Sequence, residues 1–458
     1  MTRAPVVVKF GGGALDEPRR VERYVRRLQA QGAPVVVVVS ARAGVTDRLQ
    51  SEAEARRPRS TARLDRWLRD RHTGLGDQGT VERRIVRDLL DGTRGPLTGE
   101  DRELLLSQGE RLAARWLAER LDRAGIPATA LESDRIGLRA ESGRGGARVL
   151  LSESRTDVGT ALRRAISAGI APVVTGYIGR SRSGKVTTLG RGGSDYSAVA
   201  IGVILGANRV ELVKRRWAVS TADPRIVGNA QRISRLSYAD ARTLAESGAS
   251  VLHPRSIAPA QRAGLTIRVV ALRHPRTITE IGAGNRTAGR TCIARSGPMA
   301  EFRVRSDRRV RKGDRRWIRV ALGRAGIRAN LWPDEREVIP VLVEWEVRQS
   351  ARVALQVADR KIGRPSRRCV VTALGEPPGS VGLRRHVAVV SRYPWWSPRP
   401  GLLRIRVPDA VAVATVRGVH RHLTARLAPR LPGPTTSSPE RLLPRPSSGV
   451  GGPGRDPV

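Results

Sequence analysis

The sequence predicts an α/β sandwich built on a mostly parallel sheet through about residue 295, then two small α+β units and a disordered tail. Three observations carry this. Val6-Val7-Val8 and the run from Val35 to Val39 are continuous and β-branched, the pattern of strands buried on both faces in a parallel sheet. Apolar residues at helical spacing follow such runs at 19–30 and 103–124, with further strands expected at 170–175, 209–213 and 267–271. Beyond residue 300 the alternation changes: strands are expected at 317–321 and 338–346 and amphipathic helices at 349–359 and 410–427.

The resulting division is 1–298 for the large α/β domain, 299–365 and 366–427 for the small units, and 428–458 for the tail. The tail is rich in Pro, Gly and Ser and lacks apolar periodicity, a composition that cannot bury a core. The stretch 56–71 is densely charged and reads as a solvated helical insertion.

The 458 residues suit two to four domains, and 40% hydrophobic with only 3% aromatic residues means aliphatic cores. The formal net charge is +42, yet only five of the 84 basic residues are Lys. The arginines are scattered and no aromatic residues interleave with them as a base-stacking surface requires, so the bias reads as compositional and nucleic acid is not the expected partner. Such a field still draws anionic nucleotides toward an open site. Cys292 and Cys369 are far apart without metal-ligand spacing, so no metal site is expected. No run approaches the ~20 apolar residues of a membrane span, and no signal-like segment opens the chain, so a cytoplasmic location is expected.

Five segments carry chemistry. Lys9-Phe10-Gly11-Gly12-Gly13 closes the first strand; its glycines let backbone N–H groups approach an anion, and Lys9 adds a point charge for phosphate oxygens. Taken alone it is equally a simple Gly-rich turn. Ser40 and Thr46 follow the second strand, at the carboxyl end where open α/β sheets bind ligands, although both residue types are common helix caps. Ser107-Gln108-Gly109-Glu110 reads as a helix opening, where Glu110 is either a dipole device or a holder of a substrate ammonium. Thr187 to Asp195 is the strongest: Gly190, Gly192, Gly193 and Ser194 precede an apolar helix and present free N–H groups to an anion. Arg191 adds a planar fork for carboxylate or phosphate, and Asp195 has no evident structural task in such a place. The fifth comprises Thr221, Asp223 and Arg225, with His253-Pro254 further on reading as a packed turn histidine. A near-match to a P-loop from Gly179 to Val186 lacks the Ser/Thr that would hold Mg²⁺ and looks like a hairpin.

Order and spacing of these segments resemble the aspartate kinases of the amino-acid kinase family, over residues 4 to about 296. The resemblance implies an amino-acid-kinase-like αβα sandwich followed by two divergent ACT-like units. It implies ATP with Mg²⁺ as donor, an amino-acid carboxylate as acceptor, and an acyl phosphate product. Lys9, Gly11, Gly12 and Asp195 would then serve the transferring phosphoryl group. Ser40, Thr46, Glu110, Arg191, Gly192, Gly193 and Ser194 would surround the amino acid. Lys9, Trp217, Thr221, Asp223 and Arg225 would lie beside the nucleotide. A homodimer is expected, since ACT-like units commonly pair.

The departures fall on the nucleotide side. Gly13 and Ala14 stand where the family has Thr-Ser. Lys214-Arg215-Arg216-Trp217-Ala218 replaces Thr-Asp-Val-Asp-Gly, Ser250 replaces a Lys, and Tyr196 replaces a Thr. Two other expectations therefore stand beside an active aspartate kinase: an inactive amino-acid sensor or partner subunit, and a nucleic-acid-binding protein.

Overall fold

The computed structural model describes residues 3–425 apart from 56–59, 94, 144–145, 250–251, 285–291, 306–311, 326, 328, 333–337, 345–347, 357–361, 363, 375–394 and 400–401. The expected tail 428–458, Ser250 and the outer ends of several expected elements lie outside the described residues.

The valine runs form the centre of an eight-stranded sheet. β1 (Val6–Phe10) and β2 (Val35–Val39) pair in parallel, and every residue of both is buried. β6 (Ala171–Thr175) and β3 (Ala128–Leu131) extend the sheet beyond β2, again in parallel. On the other side β9 (Arg209–Lys214) pairs in parallel with β1, and β11 (Thr266–Ala271) with β9. β12 (His274–Gly282) closes antiparallel on β11 and carries β10 (Arg235–Ser237) in parallel at the edge. The strand order β10-β12-β11-β9-β1-β2-β6-β3 puts β1 where the chain's progress reverses direction across the sheet. In open α/β sheets the carboxyl ends at such a switch are where ligands bind.

Helices cover both faces. On one lie α1 (Gly12–Leu15), α2 (Pro18–Ala30), α3 (Val45–Glu54), α4 (Thr61–Arg71), α5 (Thr80–Asp91) and the long α6 (Gly99–Arg123). On the other are α7 (Leu151–Ser167), α8 (Gly193–Leu205), α9 (Tyr238–Glu246) and α10 (Pro254–Arg262). Burial of Val6, Val8 and Phe10 in one core and Val7 in the other follows from the period-2 alternation of a strand. Of the stretch 56–71, expected as a solvated helical insertion, α4 (Thr61–Arg71) is helical and packs inward through Leu64 and Leu68, four residues apart on one face. Short pairs complete the domain: β4 (Ala140–Glu141) with β5 (Arg148–Val149), and β7 (Ile178–Arg180) with β8 (Val186–Thr188). The β7–β8 hairpin spans the P-loop-like stretch, whose Gly179-to-Lys185 residues therefore never form the strand-to-helix turn of a phosphate loop.

The C-terminal region is one antiparallel sheet in the order β15-β16-β14-β17-β19-β18. β14 (Met299–Arg305), β15 (Asn330–Leu331) and β16 (Val338–Glu344) pack under α11 (Lys312–Arg324) and α12 (Arg348–Gln356). β17 (Ser366–Leu374), β18 (Trp395–Arg399) and β19 (Leu402–Pro408) carry α13 (Ala412–Ala425). β13 (Cys292–Arg295), counted with the large domain from sequence, pairs with β17. The strand expected at 317–321 is instead the middle of α11. Its Trp-Ile-Arg-Val-Ala run looks extended, but the buried residues are Ile318 and Leu322, one helical turn apart.

The two halves join where β14 pairs with β17, and a buried charge cluster sits at that seam. Glu301 is 1% exposed; Arg368 Nε approaches its Oε2 at 2.9 Å and Arg406 Nη1 its Oε1 at 3.2 Å. Removing one partner of a buried ion pair strands the other charges, so Glu301→Ala is expected to cost about 3 kcal/mol or more. Urea unfolding followed by circular dichroism checks it; a loss under about 1 kcal/mol would mean the arginines find water instead.

Candidate active site

Four chain segments converge on the carboxyl edge of β1, β2 and β9. The turn after β1 is pressed against the loop after β2: a side chain on Gly12 would begin 2.6 Å from the Ala41 carbonyl oxygen and 2.9 Å from the Ala43 nitrogen. Only glycine fits there, because the obstruction is backbone. A side chain on Gly11 would begin 3.6 Å from the Lys9 ammonium, so Lys9 folds back over its own glycine turn. The Ser40 amide donates to the Phe10 carbonyl at 3.1 Å, and half-buried Thr46 lies in the first turn of α3.

The loop Gly190 to Gly192 enters α8 with Gly192 at φ 70°, a left-handed conformation that glycine adopts without strain. No side chain caps α8. Its first turn contains Ser194 and Asp195, both buried. His253 caps α10 and packs where a Gly192 side chain would lie, the packed turn histidine expected from sequence.

Asp195 holds two cations. Lys9 Nζ lies 2.7 Å from Oδ1 and Lys214 Nζ 3.1 Å from Oδ2. Lys9 and Asp195 are 6% exposed each, whereas the Lys214 side chain is 28% exposed. Burial pushes the Lys9 ammonium below its ordinary range, with Asp195 opposing and Lys214 adding to the shift. Burial alone would raise the Asp195 carboxyl, but Lys214 and Lys9 outweigh it and hold the group well below the usual carboxylate range. The aspartate is therefore ionised at every ordinary pH.

Glu110 comes from the middle of α6, not from a helix start. The helix opens at Gly99, eleven residues earlier, so the dipole reading of this carboxylate does not apply. Gly109 lets α6 approach the β2–α3 loop, with Ala41 Cβ 3.0 Å from where its own side chain would start. Glu110 is 2% exposed; its Oε1 accepts the Ala41 amide at 3.1 Å, and its Oε2 has no partner among the described residues. Burial pushes its pKa up to about 8, against the Ala41 hydrogen bond and the nearby Lys9 charge. An unpartnered oxygen in such a place suits a cationic ligand group.

The remaining expected residues are more dispersed. The Arg191 side chain is 78% exposed and reaches Glu344 of β16 at 3.3 Å. Trp217 is 42% exposed, with the Arg216 guanidinium 5.8 Å from its ring. Asp223 and Arg225 pair with each other at 2.6 Å. Thr221 is buried and bonded to His420 of α13 at 3.0 Å, while its carbonyl accepts the Ile293 amide at 2.7 Å. The 221–225 segment is thus joined to the C-terminal sheet as well as to the large domain.

Three participants were not singled out as site residues from sequence. Lys214 carried the signal in plain view, since Arg209–Lys214 ends a buried strand in Lys as Val6–Phe10 nearly does. Tyr177 has φ 66° beside Gly193, the one non-glycine with positive φ among the described residues. His420 could not be found, because its relation to Thr221 spans 199 positions.

Residues 4–271 match the amino acid kinase family. The chain is 30% identical to an aspartokinase of Thermus thermophilus over 270 residues, 58% of this chain and 56% of that one. It is 30% identical to the chloroplastic aspartokinase 3 of Arabidopsis thaliana over 311 residues, 64% of this chain and 54% of that one. The chain spans about half the length of the curated relatives it matches. The solved structure of E. coli aspartokinase III in complex with aspartate and ADP superposes with a TM-score of 0.80 at 22% identity, covering 92% of this chain and all of that one. Clostridium acetobutylicum aspartate kinase superposes at 0.68 with 18% identity, covering 91% of this chain and all of that one. Among the described residues no helix is long and apolar enough to cross a membrane.

Proposed function

The chain belongs to the amino acid kinase family, and from that premise we propose that it transfers the γ-phosphoryl group of ATP to the side-chain carboxylate of aspartate or a close amino acid. The observation that carries this is the buried Lys9–Asp195 pair at 2.7 Å, beside an unpartnered Glu110 oxygen on the same sheet edge. One part of that edge suits a phosphoryl group and the other an ammonium.

The step balances without a general base. An acceptor carboxylate oxygen, already ionised, forms a bond to the γ-phosphorus. The bridging Pβ–O–Pγ bond breaks, and ADP leaves with that oxygen and its electron pair. Catalysis then consists of in-line positioning and neutralisation of charge. Lys9 meets the transferring group, the Gly11–Gly12 turn gives its backbone close access, and Asp195 orients the ammonium. Glu110 takes the substrate ammonium, with Ser40, Thr46, Gly192, Gly193 and Ser194 around it. Arg191 exchanges Glu344 for the substrate α-carboxylate.

Trp217, Thr221, Asp223 and Arg225 flank the nucleotide in this reading. Mg²⁺ enters with ATP, chelated by its phosphates, as part of the substrate. Residues 299–365 and 366–427 act as two ACT-like units, with 292–295 adding a strand to the second, and pair to make a homodimer. A cytoplasmic setting, with ATP and free amino acids at hand, goes with this activity.

The test is a coupled ADP-release assay with ATP, Mg²⁺ and aspartate, repeated with other carboxylate amino acids. Turnover well above that of a Lys9→Ala control is expected. Rates indistinguishable from the control for every acceptor would reduce the protein to an amino-acid sensor.

A further inference from the structure

Lys214 is the last residue of β9 and Lys9 the last but one of β1, and the two strands are parallel neighbours. The Lys214 backbone is fixed from the other side, where its carbonyl accepts the Leu272 amide at 2.8 Å. Its ammonium lies 3.1 Å from Asp195 Oδ2 while that of Lys9 lies 2.7 Å from Oδ1, so one carboxylate aims both cations. The other two cations of this loop are turned elsewhere: Arg215 pairs with Glu17 at 2.7 Å and Arg216 lies against the Trp217 ring. Of the three, Lys214 is the one that pairs with Asp195.

Charge counting shows what it adds. Lys9 and Asp195 alone sum to zero, yet the proposed reaction brings an anionic carboxylate against an anionic phosphate chain. Lys214 leaves the cluster with one net positive charge. It is also the more open of the two, 28% exposed against 8% for the Lys9 side chain, and so faces the edge from which a phosphate chain arrives. Lys9 faces Leu212 in the register, so Lys214 stands two residues further along at the ligand-binding end of the sheet, and a purely structural Lys would not need to turn to Asp195 there.

We infer that Lys214 is a second phosphoryl-binding cation, holding the phosphate chain opposite Lys9 with Asp195 as the shared anchor. The inference deepens the phosphotransfer reading and rests on it for the identity of the anion as ATP. It assigns a cationic role to a position where the family resemblance expects a hydroxyl residue.

The test compares the full chain with its Lys214→Met, Lys214→Gln and Lys214→Arg variants in two assays. Calorimetric titration with inorganic tripolyphosphate at two salt concentrations reads anion binding without any reaction. Both neutral variants are expected to weaken binding roughly tenfold or more and to flatten its salt dependence, because a screened charge has been removed. Lys214→Arg should recover part of the affinity, and aspartate affinity should stay within about threefold, since Lys214 is not among the groups given to the amino acid. In the ADP-release assay, kcat of the neutral variants should fall roughly 10²-fold, the scale for losing one preorganised group on a developing charge. Whichever neutral variant keeps the wild-type melting temperature supplies the decisive comparison; should both unfold, the salt dependence of wild type against Lys214→Arg and Lys9→Met decides. Unchanged tripolyphosphate affinity and salt dependence, or no tripolyphosphate binding by the wild type, overturns the inference whatever the turnover. Weakened binding in a chain that releases no ADP from ATP sinks the transfer reading and leaves Lys214 as an anion-binding residue.

Discussion

A Lys9→Met protein is expected to lose phosphoryl transfer by on the order of 10³-fold in kcat while keeping its fold. The loss is large because Lys9 is the most enclosed cation at the site, 6% exposed, and water cannot replace it cheaply. The fold survives because Asp195 keeps Lys214 at 3.1 Å, so no buried carboxylate is left without a cation. Methionine preserves most of the stem volume along the buried end of β1. Arginine should not rescue activity, since a guanidinium spreads its charge over a plane and cannot take the place of the compact Lys9 ammonium between Asp195 and the glycine turn. Steady-state kinetics with saturating aspartate, beside a melting curve for each variant, checks both halves. A kcat within tenfold of wild type would mean that Lys9 merely neutralises Asp195.

The parallel core was legible in the sequence because its strands are buried on both faces. Val6 to Val8 and Val35 to Val39 have no polar side to confuse the pattern, and they form the strands expected of them. The 170–175, 209–213 and 267–271 strands were legible for the same reason. Where a segment is amphipathic and short, the pattern failed. Residues 317–321 look extended when only their β-branched and aromatic content is weighed, yet burial of Ile318 and Leu322 makes them helical. Glu110 was legible as a site residue, and the helical spacing from 103 already ran through it; reading Ser107 to Glu110 as a helix opening was the miss, since α6 begins at Gly99 and runs 25 residues.

The same distinction holds at the site. Gly190 to Asp195 could be read locally, since a glycine turn before an apolar helix has one evident use. The partnership of Asp195 with Lys9 and Lys214 could not, since it depends on three segments meeting at the sheet's edge. From sequence, the cations at 214–216 left open whether the nucleotide side was rebuilt or lost. In the structure they have separate tasks: Lys214 turns inward, Arg215 holds Glu17, and Arg216 lies against Trp217.

Binding of the amino acid should be steeply pH-dependent and should release a proton, and Glu110→Gln should abolish both effects. Glu110 titrates near pH 8 because it is buried, so the free protein holds it largely protonated at neutral pH. A substrate ammonium pairs with the ionised form alone. Apparent affinity should therefore rise up to tenfold per unit between about pH 6 and 8 and level off above. Calorimetry at pH 7 in buffers of different ionisation enthalpy should show close to one proton released per amino acid bound. Glu110→Gln keeps an acceptor for the Ala41 amide but lacks the charge, so its affinity should be lower, roughly 10²-fold at pH 8, and flat with pH. Folding gives an independent reading of the same group. Between the unfolded value near 4.5 and the folded value near 8, the folded state holds a proton that the unfolded state has lost. Stability must then fall as pH rises through that window, and the Gln variant must lose that part of the fall. A pH-independent aspartate affinity in the wild type, with no proton released, would remove Glu110 from the ammonium's surroundings even if the stability slope were present.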